Sequence, residues 1–225
     1  MSSHTAAAAA AVGTVKGRVR LNGTPPGNPV IRMRVDPMCA KINKGKLVVE
    51  EMVMASKDGG LANVFVTLHG AFPRTPIPAD TVVIDQHDCL YAPRMVGARV
   101  GQTLVVRNSD PLLHNVHSLS SGSNSFNIGQ PLAGLENRFQ LKGAEILRLK
   151  CDVHRWMTAY VGVVDHPYFA VTGNDGTFEI TNVPVGTQKL HIWHERYGDL
   201  EQSVRVIPGA TPPVTFAYTG AEKAP

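Results

Sequence analysis

What most limits how this chain can fold is an alternation of period two that turn formers keep cutting short. From Gly13 to Leu21, the residues Val15, Gly17, Val19 and Leu21 alternate with Thr14, Lys16, Arg18 and Arg20, the period of a strand with one buried face. Asn22-Gly23-Thr24-Pro25-Pro26-Gly27 then stops it, because Gly and Pro supply turn conformations and Pro gives a sheet no donor. Strand-like runs return at Ala62 to His69, Thr81 to Asp85, Val96 to Arg107, Asn137 to Leu141, Glu145 to Cys151 and Ala159 to Val164. Beyond His166-Pro167 they come at Tyr168 to Thr172, Thr177 to Thr181, Gln188 to His194, Val204 to Ile207 and Val214 to Tyr218. With 21 Gly, 16 Pro and no long amphipathic helix, the chain reads as all-β. Phe72 to Pro78 is too rich in proline for a central strand and reads as a loop, and Lys41 to Met54 carries no pattern that assigns it.

The expected architecture is a β-sandwich over 13–165, with an N-terminal extension, and a small second β module over 166–220. The strand over 13–21 fits either. Residues 1–12, with their run of alanines, read as a flexible tail that lacks the basic and long apolar regions of a secretory signal. No apolar stretch of about 18 residues follows, so no transmembrane segment is expected. A net charge of +4 with no dense basic run argues against nucleic acid as a partner.

Chemistry gathers at Cys151-Asp152-Val153-His154-Arg155-Trp156-Met157. In the preceding strand Leu147, Leu149 and Cys151 share one face, so Cys151 turns inward at the strand's end. A thiolate, an imidazole and a thioether so spaced make most of a mononuclear copper site, given a second imidazole from elsewhere. Zinc more often takes four strong N/S ligands or keeps an open water position. The segment Asn108 to His117 offers the second imidazole at His114, from a strand expected to end there, with His117 as its rival on the opposite face. The other histidines form no second site: His191 and His194 should face opposite ways, and His87 lies beside a cysteine with other prospects.

The pattern Asn108-x-Asp110, then His114-Asn115-Val116, then Cys151-x-x-His154-x-x-Met157 resembles the cupredoxins, the blue-copper proteins, and its short ligand loop is similar to that of amicyanin. The resemblance covers roughly 96–164 and implies a Greek-key β-sandwich holding one type 1 copper. His114, Cys151 and His154 would be the equatorial ligands and Met157 the axial one. Asn115 would tie the two ligand loops together and donate a backbone hydrogen bond to the thiolate. The tail, with Gly176-Thr177-Phe178-Glu179-Ile180 and Val183-Pro184-Val185-Gly186, resembles the carboxypeptidase regulatory-like β module.

The resemblance implies a carrier of single electrons between redox proteins, free or within a larger membrane-associated redox complex, in a periplasmic or other extracytoplasmic compartment. Copper delivery or storage is the second reading, and a structural or adhesive β protein the third. No Ser-His-Asp set, paired carboxylates or phosphate loop stands out, so an electron-transfer protein is expected rather than an enzyme. Leu112, Leu113 and Trp156 are candidates for an apolar docking patch around the site. Cys39 and Cys89 remain as a candidate disulfide, which would fit an oxidising compartment, or as two small buried thiols.

Overall fold

The computed structural model describes residues 11–120 and 122–223, and the strands expected from the alternation pack as two β-sandwiches. The expected tail lies outside the described residues except at its end, where Val12 already opens the first strand.

The first sandwich is built from 82–164. One sheet runs, in spatial order, Met95–Arg99, Thr158–Val164, Glu145–Lys150, His114–Ser118 and Asn127–Gln130; the other runs Leu90–Ala92, Val82–His87, Thr103–Asn108 and Glu136–Gln140. Their inward faces supply one core, in which Ile84, Leu104 and Val106 are fully buried with Val116, Leu147, Leu149 and Val161. Burying each such side chain contributes about 1.5–3 kcal/mol.

The second sandwich is assembled from both ends of the chain. Val12–Leu21 pairs antiparallel with Thr177–Pro184 and parallel with Val214–Tyr218. Facing it, Phe65–His69 lies between Phe169–Val171 and Gly186–His194, which forms a hairpin with Gly198–Val206. The chain therefore leaves this sandwich after Phe65–His69, builds the first one, and returns. Between its first two strands it makes a separate excursion over 30–48, where Pro37–Ile42 forms a short helix whose N-terminus is capped by the Asp36 carboxylate.

Four of the expected segments differ in the structure. Ala62 to His69, expected within the 13–165 sandwich, supplies Phe65–His69 to the second one, because it pairs there with Phe169–Val171 and Gly186–His194. Val96 to Arg107 is two strands in two sheets, because Gly101, at φ +89°, turns the chain between them. The strand expected to end at His114 instead starts there, after a turn from Asn108. Val204 to Ile207 is the tail of the longer strand Gly198–Val206; its residues 199–203 are largely exposed, so no alternation marked them.

The sandwiches meet tightly. Gly97 and Gly162 pair across a parallel ladder and leave a window for Phe65 and Phe169; a Cβ on Gly162 would lie 2.6 Å from the Phe65 ring. Beside it, Arg94 holds Glu195 in a buried bidentate pair, with Nη2 to Oε2 at 2.7 Å. Gly162→Ala should therefore overpack this junction and lower stability by about 1–3 kcal/mol in urea unfolding.

His194 lies fully buried in the second sandwich beside Tyr197 and Tyr218. Burial, reinforced by the charge of Arg94, lowers its pKa from 6.5 to about 4. The unfolded chain takes up this proton near 6.5 while the folded chain refuses it until about 4, so stability drops as pH falls through that window. His194→Gln should remove up to about 3 kcal/mol of that acid sensitivity, read as the difference between the two proteins' unfolding curves across pH.

Candidate metal centre

Glu145–Lys150 delivers Cys151 to one end of the first sandwich, and Thr158–Val164 takes the chain back. The loop between is closed by its own backbone: Cys151 N–H donates to Met157 O at 3.3 Å and Met157 N–H to His154 O at 2.9 Å. His154 N–H donates to the Cys151 sulfur at 3.3 Å, and Asn115 N–H donates to it at 3.4 Å from the neighbouring strand. The Asn115 side chain accepts from Asp152 N–H at 3.0 Å, so the two loops are stitched together.

In His114–Ser118 the alternation sends His114, Val116 and Ser118 inward. His117 faces out, with Nδ1 3.0 Å from Asp152. His114 and His154 come together with Nδ1 facing Nδ1 at 3.0 Å, and Cys151 Sγ lies 3.9 Å from His154 Nδ1. Cys151 and His154 are 1% exposed and His114 0%. Met157 is fully buried in the same core as Cys151.

Two carboxylates define which nitrogens are free. Asp110 Oδ2 lies 2.8 Å from His114 Nε2, and Asp36 Oδ2 lies 3.1 Å from His154 Nε2. An ionised carboxylate only accepts, so each Nε2 carries the proton and each Nδ1 presents a lone pair. Burial pushes both carboxyls up, but hydrogen bonds outweigh it and hold them below the usual carboxylate range: to His114 and the Cys89 and Asp88 amides for Asp110, to the Cys39 amide, His154 and the Met38 amide for Asp36. Burial likewise raises the Cys151 thiol, yet His114, His154 and two backbone amides bring it down to about 6. Burial disfavours protonation of His114 and His154, but their partners prevail and both are raised.

Asp110 is itself held by the Asp88 and Cys89 amides, at 2.9 and 2.7 Å. These residues form the two-residue turn between Val82–His87 and Leu90–Ala92, with φ of 55° and 59°. Such left-handed pairs suit the twist of a hairpin but are costly for residues other than Gly. Cys89 is also bonded to Cys39, Sγ–Sγ 2.04 Å. This disulfide lays the 30–48 segment over His154, with Cys39 Sγ 3.6 Å from His154 Nε2. Trp156 donates to Cys89 O at 2.9 Å and packs with Leu112 against the disulfide cluster, while Leu113 is 47% exposed. Neither carboxylate's role was read from sequence. Asp110 had a faint signal, four residues before His114; Asp36 lies 118 residues from its partner.

The donor set fits a single metal ion. One ligand atom from each of His114, His154 and Cys151 lies within 4.8 Å of the others, a span that bonds of about 2.0–2.3 Å, as imidazoles and thiolates make to zinc, can bridge. A thiolate with two imidazoles and a buried thioether in the same core suits copper. Among the described residues, the other groupings of metal-binding atoms reuse His114 or His154 with Asp36 or Asp110 and the disulfide cysteines. Asp110→Ala should leave His114 Nε2 and two turn amides without their acceptor and destabilise the metal-free protein by about 3–5 kcal/mol in denaturant unfolding.

No protein-family model matches the chain, and no curated protein does. Among solved structures it is similar to a purple cupredoxin from Nitrosopumilus maritimus, at 22% identity over 37% of this chain and 99% of that one, TM-score 0.33. It is similar to a methionine-to-alanine variant of amicyanin with Cu(I), at 20% identity over 44% and 98%, TM-score 0.34. A copper-containing nitrite reductase from Thermus scotoductus SA-01 matches at 16% identity over 43% of this chain and 25% of that chain, TM-score 0.37.

Proposed function

We propose that this chain is a type 1 copper protein that carries single electrons between redox proteins. One observation carries the reading: the Nδ1 atoms of two buried imidazoles stand 3.0 Å apart beside a buried thiolate, with both remote nitrogens committed to carboxylates. Two lone pairs so placed would repel, and either a proton shared between the two nitrogens or a metal ion held by both relieves that repulsion. His114, Cys151, His154 and Met157 would hold the ion. A bound copper supplies one-electron chemistry, alternating between Cu(II) and Cu(I).

The chain's own residues do the rest. The Asn115 and His154 amides orient the sulfur, Asp110 and Asp36 fix the rings, and the 30–48 segment keeps water from His154. Four protein ligands leave no position for a substrate, which favours an electron carrier over an enzyme. The 82–164 sandwich would be the cupredoxin-like unit. The strands at 12–21, 65–69 and 169–218 would be the regulatory-like module, a second body suited to seating the carrier in a larger redox complex. The Cys39–Cys89 disulfide favours an oxidising, periplasmic or other extracytoplasmic compartment.

Titration with Cu(II) should bind one equivalent and produce an intense sulfur-to-copper charge-transfer band. Cys151→Ser should abolish that band, and Zn(II) should bind without colour. A protein that takes up no stoichiometric copper, or stays colourless with it, would defeat the reading.

A further inference from the structure

Residues 30–48 contain five basic residues, Arg32, Arg34, Lys41, Lys44 and Lys46, and one acidic residue, Asp36. Their net charge therefore equals the +4 of the whole chain, and the remaining residues balance. All five basic side chains are exposed, whereas Asp36 turns in to His154. Lys46 pairs with Asp88, but Arg32, Arg34, Lys41 and Lys44 make no ion pair among the described residues. Exposed apolar side chains lie among them: Val35 and Leu47 at 79%, Val30 at 55% and Met38 at 40%. Part of the segment lines an open groove of about 880 Å³ between Val30–Val35 and Asn43–Lys46.

This same segment covers the metal centre. From His154 Nε2 it is 3.1 Å to Asp36 and 3.6 Å to Cys39, and the Asp36 side chain is 27% exposed. One side chain thus separates the buried ring from solvent. We propose that the basic, apolar-studded face of 30–48 is the docking surface for an acidic one-electron carrier protein, which exchanges its electron with the metal centre through the Asp36–Cys39–His154 contact. The inference rests on the copper reading. One electron leaves the donor's own redox centre and converts Cu(II) to Cu(I), with no bond made or broken and no proton transferred. Uncompensated positive charge draws an acidic partner in from beyond contact range, and the apolar side chains hold it in a brief encounter.

The test is stopped-flow reduction of the Cu(II)-loaded protein by reduced plant-type ferredoxin, an acidic one-electron protein donor, from low to high salt. The rate should fall about tenfold or more as salt shortens the screening length. Arg34→Glu with Lys44→Glu should slow the low-salt reaction by about tenfold or more. Its absorption spectrum and its reduction by neutral hydroquinone should stay unchanged. The control pair Lys57→Glu with Arg205→Glu alters net charge equally at other exposed sites and should cost far less. A rate indifferent to salt and to Arg34 and Lys44, or a control pair equally slow, overturns the docking face while leaving the copper site standing. A protein that fails to colour with Cu(II) overturns the copper reading and this proposal together.

Discussion

The centre depends on two carboxylates, Asp110 buried and Asp36 at the edge of solvent, that set two imidazoles facing each other. Asp110 and Asp36 come from separate parts of the chain, yet they are linked. Asp110 accepts from the Asp88–Cys89 turn, Cys89 is bonded to Cys39, and the Cys39 amide donates to Asp36. His114 and His154 close the circuit from Asp110 back to Asp36. No member can shift alone, and ring orientation is fixed before any ion arrives.

The sandwich gives this circuit its footing. Cys151 and His114 stand at the ends of paired strands whose inward residues are completely buried, so their backbone positions are set by packing. The two glycines at the junction with the second sandwich do comparable work at the other side of the same sheet, where Phe65 enters because no Cβ stands in its way. The second sandwich thereby braces the sheet that carries the ligand loop.

The sequence showed those features whose physics is local. Alternation in Glu145–Lys150 turns Cys151 inward, and the short spacing to His154 and Met157 defines a loop that strands can anchor at both ends. Alternation also separated His191 from His194, and the structure gives them different surroundings: His191 reaches Asp199 while His194 is buried. It failed where contacts are distant or faces are exposed. Asp36 meets His154 only through the fold, and no period in 30–48 announces a short helix held by a cap and a disulfide. Val96 to Arg107 read as one strand because both halves alternate; only the positive φ of Gly101 divides them.

Charge shows what an occupant would contribute to such a centre. With Asp36, Asp110 and Cys151 ionised and both imidazoles neutral, three negative charges would stand together, two of them, Asp110 and Cys151, buried, where desolvating a single charge costs several kcal/mol. The neighbouring carboxylates and thiolate raise the affinities of His114 and His154 for protons against the effect of burial. A metal cation held by His114, His154 and Cys151 would supply positive charge there without protons. On the copper reading, the carboxylates that fix the rings would favour the more highly charged ion, so Asp36 and Asp110 would stabilise Cu(II) more than Cu(I). The inward turn of Asp36 serves both ends of the segment: its negative charge is spent on the centre, and the surface above it is left basic.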